Sequence, residues 1–117
     1  MNFCSSTMQS SKVPQITLAM SAHPRQGFQP LTVVIQAELI NYQGQEDKFF
    51  CAKEEWDFGD GSQSEHQPNC KEKAPLQTKF IATHTYDLPG TYKIHLKLGG
   101  KLLKSQAVWI NVLSNGI

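Results

Sequence analysis

Two carboxylates, Asp57 and Asp60, stand three residues apart in the stretch Trp56-Asp57-Phe58-Gly59-Asp60-Gly61-Ser62, with His66 and His84 further along the chain. Carboxylates drawn together across a tight turn can hold a divalent cation, or share acid–base work with an imidazole. A small metal-dependent hydrolase built on Asp57, Asp60, His66 and His84 is therefore one reading of these residues. It lacks support elsewhere in the chain: there is no Gly-x-Ser-x-Gly nucleophile motif and no His-Glu-x-x-His zinc motif. The other reading is structural. Asp-Gly between alternating segments is a strong hairpin signal, and an Asp side chain readily accepts hydrogen bonds from nearby backbone in turns. The stretch is expected to be a strand whose Trp56 and Phe58 face a core, entering a turn at Gly59-Asp60-Gly61, with neither catalysis nor a metal.

Cysteine chemistry offers a second possibility. Cys51 and Cys70 bracket the motif and a polar loop. A disulfide between them would constrain the unfolded chain by ~3 kcal/mol on the loop-entropy argument. In a reducing cytosol the two would instead be unrelated thiols. A zinc site with His66 lacks the short ligand spacings such sites use. The disulfide is the expectation. Cys4, followed by two serines, stands where a bacterial lipoprotein carries its acylated Cys, but Met-Asn-Phe before it is not the usual small, aliphatic lead. Its lipidation stays open.

The whole chain sets the frame for these groups. Its 117 residues are the size of one domain, and 39% hydrophobic with 18% charged residues is too apolar and too weakly charged for disorder. Eleven basic against ten acidic residues leave a net charge of +1, with the basic ones scattered, so there is no electrostatic case for nucleic acid. No apolar run approaches the ~20 residues of a membrane helix, and no signal-peptide core is visible. Residues 1–13 read as a disordered, Ser-rich lead-in, 14–113 as the domain and 114–117 as a tail.

From residue 15 the pattern alternates with period two. Ile16, Leu18, Met20 and Ala22 share a face, and Pro24, Gly27 and Pro30 then break the strand. Leu31, Val33, Ile35, Ala37 and Leu39 share the next face. Phe50, Ala52, Trp56 and Phe58 form another, interrupted by Glu54. Residues 62–79, with Pro68 and Pro75, allow at most a short edge strand. Phe80, Ala82, His84 and Tyr86 align, and so do Tyr92, Ile94, Leu96 and Leu98, with Lys93, His95 and Lys97 on the opposite face. No stretch has a convincing helical period. Six or seven short strands at regular spacing predict an all-β sandwich.

The final hairpin poses a register problem. A two-residue turn at Gly99-Gly100 would pair Leu96 with Leu103 and turn Val108, Ile110 and Val112 outward, because paired residues share a face. Burying three β-branched residues at roughly 1.5–3 kcal/mol each outweighs a regular turn. A longer loop or a bulge is therefore expected, which leaves Trp109 facing outward beside Ala107 and Asn111.

The segment from His84 to Leu96 completes a recognisable pattern. Asp87-Leu88-Pro89-Gly90-Thr91-Tyr92 looks like a tyrosine corner, in which the Tyr hydroxyl bonds upstream backbone. Ile94 then takes the place where an antibody domain carries its second Cys. Together with the Trp56–Ser62 motif and with Gly27, Pro30, Leu31, Val33 and Ala37 before it, this segment strongly resembles the PKD (polycystic kidney disease) domain family over roughly residues 14–113. The departures are Cys51, Cys70 and the long polar segment between Ser62 and Lys79.

That resemblance implies a seven-stranded, two-sheet antiparallel immunoglobulin-like sandwich without enzymatic activity. It implies a module that spaces or docks other domains, or binds protein or polysaccharide, outside the cell, in a periplasm or at a cell surface. A cytoplasmic home is not ruled out by the residues themselves. By the same analogy His84 and Asp60 are framework residues. Some relatives bind calcium through loop carboxylates; here Asn41, Asp57, Asp60 and Asp87 are the available oxygens, without an Asp-x-Asp-x-Asp ladder. No cofactor is expected, and the isolated domain is expected to be monomeric. The binding face is placed on the Cys-bounded insertion and on Trp109 with Lys93, His95 and Lys97, an aromatic beside cations. Phe49, Leu103 and Ile40 are further apolar residues expected at the surface.

Overall fold

The computed structural model describes residues 15–70 and 75–116; the lead-in, with Cys4, lies outside them. Among the described residues nine strands run in chain order: β1 (Thr17–His23), β2 (Gln26–Phe28), β3 (Leu31–Ile40), β4 (Glu54–Asp57), β5 (Gln63–His66), β6 (Lys79–Tyr86), β7 (Gly90–Leu98), β8 (Leu103–Lys104) and β9 (Val108–Leu113). One sheet has the order β1-β3-β6; the other has the order β2-β9-β7-β4-β5, with β8 on β7. The seven longer strands are those of the expected sandwich. The two short ones are additions, and among the described residues no helix is long and apolar enough to cross a membrane.

Alternation explains most of the core. Along β3, residues Leu31, Val33, Ile35, Ala37 and Leu39 are buried while Thr32, Val34, Gln36 and Glu38 face out. Ile94, Leu96 and Leu98 of β7 and Val108, Ile110 and Val112 of β9 meet them from the second sheet, together with Trp56 and Phe58. Each such side chain stabilises the fold by roughly 1.5–3 kcal/mol on burial.

The final hairpin combines a four-residue turn with a bulge, and the bulge alone resets the facing of the last strand, since the turn keeps the pairing parity of a two-residue one. The turn spans residues 99–102, so Leu98 pairs with Leu103 and Lys97 with Lys104. Ser105 then bonds Leu96 twice, donating its N–H to the carbonyl at 2.8 Å and accepting the Leu96 N–H on Oγ at 2.9 Å. The next pair is Ile94 with Val108, so Gln106 and Ala107 both stand opposite His95. That bulge returns Val108, Ile110 and Val112 to the core and leaves Trp109 half exposed.

Four local expectations are corrected. The segment around Pro24, Gly27 and Pro30 is more than a break: β2 pairs with β9 in parallel, so the sandwich is not wholly antiparallel. The residues before Cys51 are not extended but form a single helical turn, α1 (Glu46–Phe49). That turn exchanges the two neighbouring phenylalanines, so Phe49 is buried and Phe50 exposed, the reverse of the alternating pattern. Leu103 and Ile40 are only partly exposed. Finally, Glu54 does not break the buried face of β4. It is buried and its Oε2 accepts the Trp56 indole N–H at 3.0 Å, which satisfies the indole and one oxygen of the carboxylate.

Candidate functional site

The Asp-Gly turn is assembled from its own backbone. The Asp57 carboxylate accepts the Gly59 N–H at 3.0 Å, and Oδ1 of Asp60 accepts the Ser62 N–H at 2.9 Å. Phe58 N–H closes the turn on the Ser62 carbonyl at 3.1 Å. Gly59 has φ +83°, and a side chain there would run into the Lys93 backbone of β7, so glycine is required twice over. The second oxygen of Asp60 reaches across to the first sheet and meets His84 Nε2 at 2.7 Å.

Behind the turn, aromatic rings run from one sheet to the other. Phe58 stacks on His84 at 4.2 Å between centroids, His84 meets Tyr86 edge-on at 4.7 Å, and Tyr86 stacks on Tyr92 at 4.4 Å. Trp56 lies parallel to Phe58 at 6.3 Å. Tyr86 donates its hydroxyl to the Phe58 carbonyl at 2.7 Å, and Tyr92 donates to Leu88 at 2.7 Å, the tyrosine corner. Burial, reinforced by the nearby Asp60 charge, holds the Tyr86 hydroxyl far above the usual tyrosine range. Burial also opposes ionisation of Asp60, but the His84 hydrogen bond, the Ser62 N–H and the His84 charge outweigh it and hold the carboxyl below its ordinary value.

These contacts say what the candidate catalytic and metal residues are occupied with. Asp57 lies on the outer face of β4 opposite His95, whereas Asp60 is turned to His84. His66 stands on β5 opposite Glu54, away from the turn. Asn41 follows the end of β3, whereas Asp87 lies beyond the Leu31–Tyr86 pair at its start, so the candidate calcium ligands are spread along the length of the sandwich. Among the described residues, no three His, Cys, Asp or Glu side chains come together as metal ligands would.

Cys51 and Cys70 are bridged, with Cα atoms 5.8 Å apart. Gln67 adds a side-chain bond to the Cys51 carbonyl at 3.2 Å, so the polar segment after β5 is tied back to the end of α1.

The outer face of the second sheet holds the residues expected to bind. Trp109 is 50% exposed, and its cross-strand partner Lys93 places Nζ 5.3 Å from the ring centroid. His95 and Lys97 continue along β7, opposite Asp57 and Glu55 of β4, and Lys104 pairs with Lys97. Desolvation, then Lys104 and Lys93, push the His95 imidazole below its ordinary value against the pull of Asp57. The lysines carry the positive charge of this face, with His95 disfavoured as a further cation. The sequence missed the compensating carboxylates of β4; strand pairing, which brings them there, is not visible from alternation.

The sequence profile of the PKD domain matches residues 15–108. The solved structure of the PKD domain of an M14-like peptidase from Thermoplasmatales archaeon SCGC AB-540-F20 is similar in fold. The TM-score is 0.51 at 16% identity, over 82% of this chain and 92% of that one. No curated protein matches the chain.

Proposed function

The chain belongs to the PKD domain family, and we propose that it is a non-catalytic interaction module of the extracellular or periplasmic space. Its binding surface for protein or polysaccharide is the outer face of the second sheet. The observation that carries this reading is Trp109: a large aromatic, half exposed, on a strand paired on both sides, with Lys93 against its ring. A half-exposed indole on a strand held from both sides meets a ligand with little further ordering cost, and indoles stack well on sugar rings and anchor protein contacts. Two further features support the reading. The carboxylates of the Asp-Gly turn are engaged in holding it, which favours a scaffold role over catalysis. The Cys51–Cys70 bridge suits an oxidising compartment.

Arrays of soluble glycans and of extracellular proteins, probed with the labelled domain and with Trp109→Ala, test the proposal. Loss of the binding signal in a variant with an unchanged melting temperature is the expected result. Full retention by Trp109→Ala would move the binding surface elsewhere.

A further inference from the structure

Among the described residues, strand β6 has one paired edge and one open edge. Leu39 N–H donates to the Thr78 carbonyl at 2.7 Å, and the β3–β6 ladder keeps a single register from there to Leu31–Tyr86. Hydrogen-bonded pairs alternate in an antiparallel ladder, so residues 80, 82, 84 and 86 turn their backbone groups to β3. Lys79, Ile81, Thr83 and Thr85 turn theirs the other way. The Lys79 carbonyl confirms the direction, since the Gln77 side chain caps it at 3.0 Å. From Ile81 to Thr85 the outward N–H and C=O groups meet no strand among the described residues.

Sheet edges are normally guarded by proline, by bulges or by charge. Residues 81–85 contain no proline, no bulge and no charged side chain on the outer face, and their one titratable group, His84, turns inward to Asp60. They present Ile81 at 62% exposure and two threonines, all three β-branched. Beneath them, between the edges of β6 and β5, lies a groove of about 660 Å³ lined by Glu54, Trp56, Phe58, Ser64, His66 and Ala82, among others. Glu54 is only 6% exposed. One of its oxygens holds the Trp56 indole; the other has no partner among the described residues and is not sealed from solvent.

We propose that this edge and groove form a strand-addition site for an extended segment of another protein, which pairs with Ile81, Thr83 and Thr85 and turns a basic side chain inward onto Glu54. The inward positions of an added strand lie over the groove, as those of Ala82 and His84 do, and the carboxylate there asks for a cation. A second copy of this chain fits less well. The inward residues of its β6 are Phe80, Ala82, His84 and Tyr86, and the imidazole is already held by Asp60.

The test is an NMR titration of the ¹⁵N-labelled chain with a synthetic strand of alternating threonine and valine carrying a central lysine. The same strand with norleucine at the centre serves as the comparison. The largest amide shifts should fall on Ile81, Thr83 and Thr85, with the norleucine strand binding about tenfold more weakly. Glu54→Gln should erase that difference. Thr83→Pro, which removes an outward N–H, should abolish binding of both strands. Should Thr83→Pro fail to fold, lysine strands N-methylated on one or the other set of alternate amides make the same test, and one of the two should fail to bind. Equal affinity of the lysine and norleucine strands, or shifts centred elsewhere, would overturn the proposal. So would shifts at residues 81–85 that follow protein concentration without peptide, since they would assign the edge to a second copy.

Discussion

Replacing Asp60 by Asn tests whether the carboxylate at the turn is a structural clasp. In the folded chain it accepts the Ser62 N–H at 2.9 Å and the His84 Nε2 at 2.7 Å, and both side chains of the pair are about four-fifths buried, at 21% and 17% exposure. An amide can keep a weaker bond to Ser62 but loses the charge opposite His84. A charge-assisted bond in a partly solvated site, replaced by a neutral contact, should cost about 1–2 kcal/mol. Urea unfolding at neutral pH should show this as a lowered midpoint with an unchanged slope. The pH dependence supplies a second signature. The folded pKa of Asp60 is depressed, so its contribution is present above the unfolded value of 3.8 and is lost as pH falls through the lower folded value. The gap between parent and Asp60→Asn should therefore close in acid. An unchanged midpoint at neutral pH, or a gap that persists undiminished at the acid end, would refute the clasp.

Other predictions follow from the same contacts. Trp56→Ala should cost about 3–5 kcal/mol in urea or thermal unfolding, because it opens a cavity and strips Glu54 of its buried donor. Alkylation of the unfolded, unreduced protein should modify one of its three cysteines, and reduction should lower the melting temperature, with up to ~3 kcal/mol at stake. In a spectrophotometric titration, one of the three tyrosines, Tyr86, should stay un-ionised until the fold fails. Its raised pKa contributes stability that is whole below the ordinary tyrosine value near 10 and is lost as pH climbs toward the higher folded value.

The parts of this molecule written in period two were open to reading from the chain alone. Val108, Ile110 and Val112 demanded a longer loop or a bulge before its position was known, and Gln106 with Ala107, opposite His95, supplies the bulge. The turn at Asp60 and the tyrosine corner were readable because their residue types fit few other backbone shapes. What stayed hidden depends on tertiary partners. A single helical turn leaves no period, so Phe49 and Phe50 exchanged roles unseen. Glu54 looked like a flaw until the Trp56 indole was placed beside it. The parallel pairing of β2 needs β9, some eighty residues away in sequence, and no local signal announces it. The candidate site divides in the same way. Outward-facing Trp109 followed from alternation, whereas the carboxylates opposite Lys97 and His95, and the lowered pKa of His95, follow only from strand order and burial.

The most direct test of the account reads the two tryptophans separately. Their indole N–H groups give two distinct signals in a ¹⁵N correlation spectrum, one from buried Trp56 bonded to Glu54 and one from half-exposed Trp109. Titrating the domain with whichever glycan or protein scores on the arrays should move the Trp109 signal and the amides of Lys93 and Asn111, its neighbours on β7 and β9. The Trp56 indole and the amides of Gly59, Asp60 and Ser62 should stay in place. A ligand that shifts the turn amides and leaves Trp109 untouched would contradict the account.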